Sequence, residues 1–181
     1  MNALGMIETN SIPVGIEAGD AMLKAADVAL TSAQAVCAGK YIVIVSGDVA
    51  AVKASVAAGV EIADYVLVDS IVIPHIHDSV IAAVGACTEV THPEALGIME
   101  TFSLASAVIC ADAAVKAADI ELIEVRLGRG LGGKSFVTLT GDVAAVKAAI
   151  EAARGVEEAQ GMVAGSVVIP SPHPDILQAV F

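Results

Sequence analysis

The sequence has no tryptophan and only two tyrosines and three phenylalanines in 181 residues. Its core must therefore rest on aliphatic side chains; apolar residues make up 56% of the chain, much of it alanine and valine. Basic residues are also scarce, nine against 21 acidic ones, for a net charge of −12. Proteins that grip phosphates need clustered Lys and Arg, so this balance argues against nucleic acid as a partner. Long apolar runs are missing too. A spanning helix takes roughly 18 or more consecutive apolar residues. The uncharged stretch from Gln160 to Pro174 is shorter and carries three prolines, so no membrane segment is expected. No basic segment precedes Glu8, which argues against a signal peptide and for a cytoplasmic location. The three cysteines are widely spaced and form no Cys-x-x-Cys pair. That pattern argues against a disulfide framework.

What the chain does have is a duplication. Gly47-Asp48-Val49-Ala50-Ala51-Val52-Lys53-Ala54 returns letter for letter as Gly141-Asp142-Val143-Ala144-Ala145-Val146-Lys147-Ala148. Ala3-Leu4-Gly5 and Glu8-Thr9 recur as Ala95-Leu96-Gly97 and Glu100-Thr101. Lys24-Ala25-Ala26-Asp27 recurs as Lys116-Ala117-Ala118-Asp119, and Gly39-Lys40 as Gly133-Lys134. Ile73-Pro74 with His77 recurs as Ile169-Pro170 with His173. The offset widens in order along the chain, as two short insertions in the second copy would produce. Two copies are too few for a solenoid. The reading is a first repeat over 1–88, a joint over 89–94 and a second repeat over 95–181. Each repeat is large enough for a modest core. So apolar a chain is also expected to hide surface in an oligomer.

Periodicity gives the elements of each repeat. Ala3 to Glu8 reads as a strand. Ser11 is placed to cap a helix running to about Ala25, with Ile16, Gly19, Leu23 and Ala26 on one face. Val28 to Val36 and Tyr41 to Ser46 read as strands joined by a turn that Gly39 suits. Asp48 caps a second helix whose apolar stripe is Val49, Val52, Val56 and Val60, matched by Val143, Val146, Ile150 and Ala153. Strands from Tyr65 to Ile73 and Met162 to Ile169 each stop at a proline. A short helix around His77 to Val84 closes the first repeat. The order β-α-β-β-α-β, twice, is the ferredoxin-like arrangement of the α+β class. That fold hosts many functions and settles none.

These strings together resemble a family. Ala-Leu-Gly-Met-Ile-Glu-Thr, Asp20-Ala21-Met22-Leu23-Lys24, Gly-Lys before a strand, Gly-Asp-Val after it and Ile-Pro-x-x-His are similar to bacterial microcompartment shell proteins. Two unpermuted units in one chain resemble the tandem-domain class. The resemblance implies a homotrimer forming a pseudohexameric tile with a central pore. It also implies edge-to-edge packing with other shell proteins around enclosed enzymes. In the family the lysine of the Asp-Ala-Met-x-Lys string lies at the tile edge. The role carries over to Lys24 and, through Asp112-Ala113-Ala114-Val115-Lys116, to Lys116. The family's Ile-Pro-Arg-Pro-His string is altered to Ile73-Pro74-His75-Ile76-His77 and Ile169-Pro170-Ser171-Pro172-His173, without the arginine.

A narrower resemblance lies in the turn Val36-Cys37-Ala38-Gly39-Lys40. It is similar to the Cys-Pro-Gly-Lys turn of iron–sulfur-binding tandem shell proteins of propanediol-utilisation compartments. In those proteins one cysteine from each of three chains holds a [4Fe–4S] cluster on the threefold axis. By that resemblance Val36, Cys37, Ala38 and Gly39 line the pore, and Cys37 ligates the cluster for electron transfer across the shell. An enclosed or cytosolic redox enzyme is the partner this implies. The alternative is a tile with an open pore for small metabolites. A third reading makes Cys37 an enzyme nucleophile, but an activated thiol needs a nearby base or cation, and only Lys40 is offered locally.

Other residues invite weaker readings. Cys87 and Cys110 have no partner at metal spacing and read as core residues. His75 and His77 lack a third ligand and read as a solvated corner. Gly128-x-Gly130-x-Gly132-Gly133 lies between two strands and lacks the helix that a dinucleotide fingerprint requires. It reads as a flexible segment near the pore.

Overall fold

The computed structural model describes residues 3–90, 93–128 and 130–180. The chain forms two compact units, Met1–Ile81 with Gly128–Gly133, and Ala82–Leu127 with Lys134–Phe181. The first repeat holds β1 (Ala3–Thr9), α1 (Ile12–Ala25), β2 (Ala29–Val36), β3 (Lys40–Gly47), α2 (Val49–Ala63) and β4 (Leu67–Ile73), then the short α3 (Asp78–Val84). The second repeats the order with β5 (Ala95–Thr101), α4 (Leu104–Ala117), β6 (Glu121–Leu127), β7 (Ser135–Gly141), α5 (Val143–Arg154) and β8 (Val163–Ile169). It closes on α6 (Pro174–Val180), a helix the sequence reading did not anticipate. The strand orders are β2-β3-β1-β4 and β6-β7-β5-β8, with antiparallel neighbours throughout. This is the expected ferredoxin-like order, twice.

The repeated strings now have physical reasons. Thr9 and Thr101 are fully buried, and each hydroxyl donates to a carbonyl two residues on, at Ser11 and Ser103. They pin the link from strand to helix. The preceding glutamates reach lysines at the third strand of each repeat, Glu8 to Lys40 at the start of β3 at 2.6 Å and Glu100 to Lys134 just before β7 at 3.0 Å. Asp48 and Asp142 accept from the first free N–H groups of α2 and α5, which the helix cannot satisfy internally. Ser103 caps α4 in the same manner through Ser106 N–H. Ser11 makes no such bond, and Pro13 occupies the first turn of α1 instead.

The glycine of Ala-Leu-Gly is demanded by packing. A Cβ at Gly5 would lie 2.5 Å from Val56 Cγ2 and 2.7 Å from Val52 Cγ1. At Gly97 it would lie 2.6 Å from Leu139 Cδ1 and 2.9 Å from Val146 Cγ1. The second helix thus rides directly on the first strand, and α1, α2, β1 and β3 close on a core that includes Ile7, Met22, Val43, Val45 and Val52. Each such side chain gains about 1.5–3 kcal/mol on burial. Gly5→Ala overpacks this contact and is expected to cost about 1–3 kcal/mol. Urea denaturation checks it; an unchanged midpoint would refute the close approach.

The buried face of α1 differs from the expected one. Gly15, Ala18, Gly19 and Met22 are buried, while Ile16 and Leu23 are exposed. A Cβ on Gly15 would meet Tyr41 at 2.7 Å and one on Gly19 would meet Val43 at 3.0 Å. Small residues face the sheet because the helix lies close to it. The stripes of α2 and α5 fall where periodicity put them, with Val52, Val56, Val146, Ile150 and Ala153 buried.

Candidate functional site

Strands β2 and β3 pair down to Val36 opposite Lys40, which leaves Cys37, Ala38 and Gly39 as the turn. Gly39 has φ +75, with open space around it. That left-handed backbone suits glycine. The Cys37–Ala38 peptide bond is cis. Cys37 is only partly buried.

The turn is held by the glycine-rich segment, which belongs to the same compact unit. Cys37 N–H donates to the Gly128 carbonyl at 2.8 Å. In return Gly130 N–H donates to Cys37 Sγ at 3.2 Å. Gly128, Gly130, Gly132 and Gly133 all have positive φ, between 62 and 90. This backbone brings the N–H groups of Gly130, Leu131 and Gly132 to the Cys37 sulfur, and converging backbone donors of this kind favour anions. The thiol responds. The Gly130 amide holds Cys37 below the usual thiol range, and the amides of Leu131 and Gly132 add to the effect against a smaller opposing loss of solvation. The shift is toward the thiolate, the form that binds soft metals.

Lys40 does not serve the thiol. Its ammonium goes to Glu8, whose side chain is 4% exposed. The thiolate is stabilised by backbone amides, which neither accept nor shuttle protons. The chemistry on offer is ligation, and a cluster of iron and sulfide prefers thiolate ligands. A partly open thiol already accepting an N–H fits such a group. Among the described residues no three His, Cys, Asp or Glu side chains gather closely enough to hold a metal ion. The Cys37 turn of one chain therefore offers one sulfur, and several copies of the turn are needed to surround a cluster.

The remaining sequence candidates separate. Val36 is buried and ends β2. Lys24 and Lys116 lie in the last turns of α1 and α4, each paired with the aspartate four residues earlier. The two pairs differ in setting: Asp20 is 61% exposed and Asp112 only 10%. His75 and His77 are exposed, as expected of a corner. Cys87 is exposed rather than part of the core, because the chain turns back onto α3 there and its thiol meets only the Gly85 carbonyl. Cys110 is buried, 1% exposed, in the core of the second unit beside the Ala153 carbonyl. The amides of the 128–133 segment were missed; only the spacing of its glycines signalled them.

Burial pushes the Cys110 thiol up to about 11 from 9.0. Its folded pKa is raised, so its contribution to stability is complete below pH 9 and is lost as pH rises toward 11. The loss is on the order of 2 kcal/mol. Cys110→Ala is expected to flatten stability across that window. Denaturant melts at pH 8 and pH 10.5 check it, and an equal fall in both proteins would refute the assignment.

Comparison with known proteins gives one family and several relatives. The BMC domain model matches residues 3–76 and again residues 95–172. The bacterial microcompartment shell protein PduT of Citrobacter freundii is 42% identical, over 94% of this chain and 93% of its own. Carboxysome shell protein CcmK2 of Thermosynechococcus vestitus is 49% identical over 41% of this chain and 72% of its own. The crystal structure of a microcompartments protein from Desulfitobacterium hafniense DCB superposes with a TM-score of 0.95, at 50% identity, over 98% of this chain and 99% of that one. No helix among the described residues is long and apolar enough to cross a membrane.

Proposed function

The chain belongs to the BMC-domain family, as a structural shell protein of a bacterial microcompartment with two such domains, and from that premise we propose that three copies form a tile whose pore holds a [4Fe–4S] cluster. The observation that carries this reading is the Cys37 thiol, partly open at the tip of the β2–β3 turn and accepting the Gly130 N–H at 3.2 Å. A closed ring of three identical chains presents three such thiolates to one point, as cyclic symmetry allows. Clusters of this kind are usually held by four cysteines, so one iron takes a ligand from outside the protein. When bound, the cluster supplies one-electron transfer, which suits a redox enzyme on one side of the shell.

The chain's own residues supply position and insulation. Cys37 supplies the sulfur, and Ala38 and Gly39 line the pore; Val36, expected there from the sequence, is buried at the end of β2 and does not present its side chain to it. Gly39 allows the tight turn, and the small Ala38 leaves room for three turns to converge. Glu8 holds Lys40 beside the turn, so no ammonium competes for the thiolate. Lys24 and Lys116 take the tile edge, against other shell proteins. Metal held between chains also favours the trimer by mass action.

Anaerobic purification followed by an absorption scan and iron analysis tests the reading. A brown trimer with about four irons is expected. A colourless trimer that takes up no iron on reconstitution would refute the cluster and leave an open pore for small metabolites.

A further inference from the structure

We propose that the backbone N–H of Gly130, held in place by the glycines around it, hydrogen-bonds the ligating Cys37 sulfur and raises the reduction potential of the cluster. This rests on the cluster reading above, which uses the Gly130 amide only to hold the Cys37 sulfur, and adds a tuning role for it.

The segment is built for direction rather than for room. A Cβ at Gly130 or Gly132 would meet nothing within 4 Å. Packing therefore does not require glycine at either place. Backbone conformation does, since φ is +70 at Gly130 and +62 at Gly132, where L side chains are disfavoured. That conformation turns Gly130 N–H onto Cys37 Sγ at 3.2 Å. The reverse bond, Cys37 N–H to Gly128 O at 2.8 Å, locks the sulfur and its donor in register. The corresponding turn of the first repeat has one glycine and the cysteine; this segment has four glycines and no cysteine. The two turns have divided the work: one supplies the ligand, the other its donors.

The consequence is electronic. Each electron accepted makes the cluster and its thiolates more negative. An N–H dipole aimed at a ligating sulfur stabilises the more negative state, and hydrogen bonds to sulfur are one of the levers that set cluster potentials. Losing the donor therefore lowers the potential.

The test compares anaerobically reconstituted wild type, Gly130→Ala and Gly161→Ala. Gly161 is a matched control, with φ +76 and open space around it, in the turn before β8. Iron content and the midpoint potential by EPR-monitored titration are measured on each. Alanine keeps the N–H but is disfavoured at φ +70, so in Gly130→Ala the backbone relaxes and swings the N–H off the sulfur; the variant is expected to bind iron as wild type does but with a lower midpoint. At the wild-type midpoint its oxidised-to-reduced ratio should rise about tenfold, which is about 59 mV for one electron. Gly161→Ala should titrate as wild type. An unchanged midpoint in Gly130→Ala, or an equal fall in Gly161→Ala, overturns the tuning role while the cluster reading stands. Wild type without iron overturns both. Pulsed EPR of reduced wild type labelled with 15N-glycine needs no variant. A weak nitrogen coupling is expected, and its absence overturns the proposal even where Gly130→Ala fails to fold.

Discussion

Cys37→Ser is expected to lose all visible absorption and nearly all bound iron while remaining a trimer. Serine keeps the size of the side chain and its ability to accept the Gly130 N–H. It replaces a thiolate with a hydroxyl that does not ionise near neutral pH, and so removes the ligand clusters prefer. Trimer formation should persist, because it rests on packing of apolar surface and not on one exposed turn. Cys87→Ser and Cys110→Ser should both keep the colour, since neither thiol lies at the turn: one meets the Gly85 carbonyl and the other the Ala153 carbonyl. Light scattering and iron analysis under anaerobic conditions read all three variants. Retention of wild-type iron by Cys37→Ser would sink the assignment, whatever the colour.

The tile edge gives the second large effect. Lys24→Ala with Lys116→Ala is expected to abolish sheet assembly, read by electron microscopy of concentrated protein. The two lysines should differ in what they cost the fold. Lys24 and Asp20 are both exposed, 74% and 61%, and such a pair contributes about 0.3–0.5 kcal/mol. Lys24→Ala should leave the melting temperature unchanged. The Asp112 carboxylate, by contrast, is largely buried under Lys116. Taking away its ammonium partner costs about 1–3 kcal/mol. For a chain of this size that is about 2–4 °C for each kcal/mol. Sequence alone makes both lysines ordinary solvated helix charges, and burial separates them. Lys24→Ala is therefore the clean test of the edge, and sheets formed by it at wild-type concentration would refute that role.

The β-α-β-β-α-β order, the proline-ended strands and the aspartate caps of α2 and α5 were legible in the chain because each is a local property, while the closing α6 and the idle Ser11 were not. Alternation and helical stripes repeat within a few residues. Asp48 and Asp142 act on N–H groups two and three positions away. The prolines at 74 and 170 end their strands by their own chemistry. The duplication then doubled every signal, so one misread element would have shown as a mismatch between halves. Cys37 was legible for a different reason, its place in a family-like turn.

What the chain could not disclose depends on distance in space. Apolar periodicity ranks Ile16 above Gly15, yet the sheet lies so near α1 that a Cβ at Gly15 or Gly19 would press on Tyr41 or Val43, and the isoleucine turns outward. Glu8 is one strand residue among others until the fold buries it and sets Lys40, 32 residues on, against it. The glycines of the 128–133 segment read as slack chain, yet Gly130 directs its amide onto a sulfur 93 residues earlier. Local rules give the backbone of each repeat because they act through neighbours in sequence. The surroundings of Cys37 come from neighbours in space, and only the closed fold brings those together.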